Sequence, residues 1–65
     1  MEDIKSLTSL YDALRSAYEK IKGLFYSMPM EKQKLYSATT IKTLSDLNQQ
    51  IQFLENIINL KSINN

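Results

Sequence analysis

Asp12 and Glu19 are the carboxylates placed closest to a working arrangement in this sequence: on a helix they share one face, two turns apart. Two turns span about 10 Å. That is too far for the pair to share a proton or hold one metal ion. Glu2 and Asp3 form the other carboxylate pair, and both pairs read as solvated surface. The sequence has no histidine and no cysteine. The usual general base and the usual strong nucleophile are therefore missing, carboxylates alone remain as metal ligands, and a disulfide is impossible. Gly23 is the single glycine, so no glycine-rich loop can cradle a phosphate. These residues predict a protein that is not an enzyme. No catalytic group, cofactor, metal or small-molecule substrate is expected.

The remaining polar chemistry is cationic. Lys20, Lys22, Lys32 and Lys34 gather around the middle of the sequence, where Glu19 and Glu31 partly offset them. They are a candidate basic patch, and a dimer would double it, so a nucleic-acid-binding regulator is the alternative functional reading. The formal net charge of +1 gives little long-range attraction to a polyanion, which disfavours it. Stacking on bases would also need basic residues interleaved with Tyr11, Tyr18, Tyr26 and Tyr36 on one face. Tyr11 has no such neighbour on its own stripe. The tyrosines read instead as core-edge packing with the hydroxyl reaching water.

The elements that position these residues are helices. From Ile4 the apolar positions run Ile4, Leu7, Tyr11, Leu14, Tyr18, Ile21, Phe25, Met28, alternating steps of three and four. That spacing makes one stripe along an amphipathic, coiled-coil-like helix. Leu10, Ala17 and Leu24 widen one flank of the stripe, and Lys5, Asp12, Arg15, Glu19 and Lys22 occupy the other side. Asp3 or Ser6 suits the cap. Gly23 is either a tolerated mid-helix glycine or the end of the helix; the apolar pattern continuing through Phe25 and Met28 favours the first. Pro29 fits the first turn of a new helix, with Ser27 or Met28 as its cap. The stretch Leu44, Leu47, Ile51, Leu54, Ile58 repeats the stripe in the second helix, with Tyr36 assigned to its earlier part. Ser37–Thr40 is a candidate irregularity, because β-branched and hydroxyl residues disfavour helix slightly. Arg15–Glu19 and Lys42–Asp46 are spaced for one-turn ion pairs.

The expected fold is a single all-α domain over residues 1–65. It is an antiparallel two-helix hairpin, with a helix over about 4–27, a turn at about 27–29 and a second helix over about 29–62. Leu35, Phe53, Ile57 and Leu60 point within about 60° of one another, away from the hairpin stripe. With Leu54 and Ile58 alongside, Phe53, Ile57 and Leu60 leave the far half of the second helix apolar over more of its circumference than one facing helix can cover. The expected consequence is self-association into a four-helix bundle, a homodimer, or capture of another protein, as an adaptor, co-chaperone or inhibitor does. The sequence has no run of apolar residues long enough to span a membrane. Its acidic start, MEDIKSL, lacks the order of a signal peptide, which predicts a cytoplasmic location.

Overall fold

The computed structural model describes the backbone of residues 2–64 and the side chains of residues 4–61. Two helices make up the fold: α1, Glu2–Tyr26, and α2, Met30–Asn64. They pack against each other as an antiparallel hairpin of 50 × 15 × 12 Å, one layer of helices thick. The proposed caps of the first helix fall differently from the sequence reading. Ser6 lies inside α1, and the Asp3 side chain lies outside the described residues, as do those of Glu2 and the tail from Ser62.

The stripe on α1 faces its partner along its whole length. Ile4, Leu7, Tyr11, Leu14, Tyr18, Ile21, Phe25 and Met28 are all half-buried, while their charged neighbours Lys5, Asp12, Arg15, Glu19 and Lys22 are exposed. On α2, Leu44, Leu47 and Ile58 are half-buried, and Ile51 and Leu54 are the most enclosed side chains described, at 8% and 6% exposure. The same alternation of three and four continues back towards the turn through Thr40, Ser37 and Gln33, all half-buried. Tyr36, assigned to this stripe by its apolar character, is instead 46% exposed. One residue is about 100° of helix rotation, and Ser37 holds the facing position. The seam is therefore large and apolar at its open end and small and polar on the α2 side near the tip.

Hydrogen bonds take over at the tip. Gln33 Nε2 donates to the carbonyls of Tyr26 at 3.3 Å and Met28 at 2.9 Å, satisfying acceptors that the end of α1 leaves free. Ser27 N donates to Gly23 O, and Ser27 Oγ donates to Leu24 O at 2.8 Å. Ser27 thus finishes α1 rather than capping α2. The cap residue of α2 is Pro29, whose carbonyl accepts from the N–H groups of Lys32 and Gln33. A proline there forfeits no helix bond, because its missing N–H would have had no partner. Through Ser37–Thr40, α2 is unbroken. Gly23 sits inside α1 with no positive φ, and a Cβ built on it meets nothing within 4 Å.

Two outcomes follow from the tip. Gly23→Ala should stabilise the hairpin by about 0.5–1 kcal/mol, since it removes backbone freedom from the unfolded chain and creates no clash. Gln33→Ala should destabilise it by about 0.5–1.5 kcal/mol through the lost bonds to Tyr26 and Met28. Thermal melts followed by circular dichroism at 222 nm check both.

Candidate interaction surface

The hairpin has two unlike sides, defined by the residues that flank the seam. On one side the residues that follow seam positions come together. Tyr18, Glu19, Ile51 and Gln52 line one shallow groove, and Tyr11, Asp12, Ile58 and Asn59 line another, with Glu55 at both. The Tyr11 hydroxyl donates to Glu55 Oε2 at 2.9 Å and accepts from Arg15 at 3.2 Å. The Arg15 guanidinium also lies 5.9 Å from the Tyr11 ring centroid. The pKa of Arg15 is raised above its ordinary value, first by its hydrogen bond to the Tyr11 oxygen, with the charges of Glu19 and Glu55 adding less. Arg15 thus turns to Tyr11 rather than forming the expected bridge to Glu19. Lys42 and Asp46 do pair, at 3.1 Å, on an exposed stretch of α2. Exposed pairs of this kind contribute little to stability.

Among the described residues no group of three His, Cys, Asp or Glu side chains is arranged to hold a metal ion. The four lysines divide between the two sides of the hairpin. All four are exposed, and residues two apart on a helix are rotated by about 200°. Lys20 and Lys22 therefore leave α1 on opposite sides of the hairpin, and Lys32 and Lys34 do the same on α2.

The apolar residues singled out from the sequence divide in two. Leu54 and Ile58 belong to the hairpin seam, so α1 already covers much of them. Phe53 and Leu60 are 64% and 60% exposed, and Ile57 between them is half-buried. Leu35, at 73% exposure, stands alone, far along α2 from Phe53. Other large apolar side chains are exposed as well, among them Met30 at 68% beside the turn. Leu24 was assigned to the flank of the stripe yet is 65% exposed, and Ile41, 66% exposed, follows Thr40 on the polar side of the hairpin. Extending the seam spacing back from Leu44 through Thr40 would have placed Ile41 outside it.

No helix among the described residues is long and apolar enough to cross a membrane. Comparison of the chain with protein-family models, with curated proteins and with solved structures finds no match. The functional reading therefore rests on the chain's own surface.

Adjacent residues give a sharp contrast between seam and surface. Leu54→Ala should cost about 2–5 kcal/mol, as buried large-to-small changes do. Phe53→Ala should change the stability of the isolated hairpin by no more than about 0.5 kcal/mol. Urea titrations at high dilution, where self-association is absent, measure the difference.

Proposed function

We propose that this chain is a small non-enzymatic protein–protein interaction module. It presents the apolar end of α2 to a second helical surface, either its own copy in a four-helix bundle or another protein. The observation that carries this reading is the exposure of Phe53 and Leu60 beside half-buried Ile57. These three adjoin the best-packed stretch of the seam. A contiguous exposed patch of large apolar side chains marks a contact surface more often than scattered ones do. Size supports the same reading. Domains below about 70–80 residues seldom hold themselves together by one core and usually rely on staples or on assembly, and this sequence has no cysteine for a disulfide. An adaptor, co-chaperone or inhibitor works in this way, offering a rigid helix face to a groove or to another helix pair.

The double variant Ile57→Glu, Leu60→Glu tests the reading. It should lower the solution mass, or abolish capture of a bound protein partner, while the circular dichroism spectrum stays helical. Light scattering and affinity capture read the two outcomes. Unchanged mass together with unchanged capture would remove the patch from consideration.

A further inference from the structure

We infer that the side of the hairpin opposite Tyr11 and Glu55 is the contact surface for a second copy of this chain, with α1 of each copy lying on α2 of the other. The inference rests on the interaction reading above and goes further, naming both the occupant and the face.

The two sides of the hairpin differ in charge. Residues that follow seam positions lie on the side of the Tyr11–Glu55 hydrogen bond, because Glu19 and Gln52 line one groove there and Asp12 and Asn59 the other. That side bears Lys5, Asp12, Arg15, Glu19 and Lys22 from α1, with Lys34 and Glu55 from α2. Residues that precede seam positions are rotated the other way by about 100° and occupy the opposite side. On α1 they include Ser6, Leu10, Ala13, Ala17 and Leu24. On α2 they include Tyr36, Thr43, Gln50, Phe53, Ile57 and Leu60. Leu10, Leu24, Tyr36, Phe53 and Leu60 are 50%, 65%, 46%, 64% and 60% exposed. Apart from Lys32 at the tip, the charges between Ser6 and Leu60 on this side are Lys20 and Asp46. Depletion of charge at the centre of a surface is what separates an interface core from ordinary solvated surface.

The exposed area fits a second copy as the occupant. The chain exposes 5230 Å², whereas a compact folded monomer of 7.5 kDa exposes about 4,250 Å². The surplus is about 1,000 Å², and a standard stable interface removes about 800 Å² from each partner. A second hairpin laid face to face would remove that surplus and give the single layer its missing second layer. The two charges on the face select the orientation. Lys20 is on α1, Asp46 is on α2, and their signs are opposite. A two-fold axis along the hairpin's length sets α1 over the mate's α2 with every neighbouring pair of helices antiparallel. Each Lys20 then faces across the rim the Asp46 carboxylate that Lys42 pairs with inside a single hairpin, which can accept from both. Setting α1 over α1 would forfeit both pairs.

Sedimentation of the full chain across a wide concentration range provides the test. The wild-type mass should rise from 7.5 kDa towards twice that value. Leu24→Glu, and separately Tyr36→Glu, should weaken the dimer about tenfold or more, as a charge forced into an apolar contact does. Ile41→Glu, 66% exposed but on the opposite side of the hairpin, should leave it unchanged. Circular dichroism confirms that each variant is helical. Lys20→Asp and Asp46→Lys should each weaken the dimer a few-fold, as rim pairs do, and the double exchange should restore it. Charge exchanges without any effect, single or double, overturn the orientation. A dimer indifferent to Leu24→Glu and Tyr36→Glu but lost in Ile57→Glu, Leu60→Glu overturns the face and leaves the interaction reading standing. A wild-type chain that stays monomeric at every concentration overturns the second copy as occupant, and capture of a different protein then decides the broader reading.

Discussion

A pair of helices can hide only the stripe that each turns towards the other, and everything else about this hairpin follows from that limit. Even at the centre of the seam the neighbouring helix leaves some of each side chain in contact with water. Ile51 and Leu54 fall below one-tenth exposure, and the α1 stripe facing them remains half-buried throughout. A third or fourth helix is the ordinary way to close such a seam. Here the flanks of the seam take two different forms, one closed over by charge and hydrogen bonding, the other left apolar.

The seam changes character along its length, and the change divides the work between packing and polar contacts. Towards the open end, isoleucine and leucine from both helices meet. Towards the tip, α2 contributes Thr40, Ser37 and Gln33 against the bulk of Ile21 and Phe25 from α1 and Met28 from the turn. Small hydroxyl residues remove little apolar area from water. The Gln33 amide bonding the last carbonyls of α1 compensates there with directionality. Phe25 and Tyr26 meet edge to face at 5.4 Å between ring centroids, which adds a local apolar contact beside the turn.

Much of this was legible in the residues alone, and the reason is periodicity. The α1 stripe is written in large apolar side chains at every seam position from Ile4 to Met28, so the helix, its facing side and its charged back could be read together. The α2 stripe was equally plain from Leu44 onward. Before Leu44 the stripe is less plain, because apolar character points to Tyr36 while the spacing points to Ser37, and the spacing is what the packing follows. The end of α1 was harder for a different reason. Ser27, Pro29 and Gln33 each have several ways to satisfy backbone groups near a turn, and only the geometry of the closed turn selects among them. The bridge from Tyr11 to Glu55 depends on the relative height of the two helices, which no single helix encodes. Phe53, Leu60 and Leu24 were legible as apolar residues off the stripe, but their degree of exposure was set by how little one neighbouring helix covers.

The Gln33 clasp on Met28 joins residues five apart in sequence, while the Tyr11–Glu55 contact joins residues 44 apart. Closing the longer loop from an open chain costs about 2 kcal/mol more in entropy than closing the shorter. The clasp therefore closes at the lower entropic cost, and contacts towards the other end of the seam tie together more distant parts of the chain. The seam is thus cheapest to close beside the turn, while its most enclosed side chains, Ile51 and Leu54, lie at the far end.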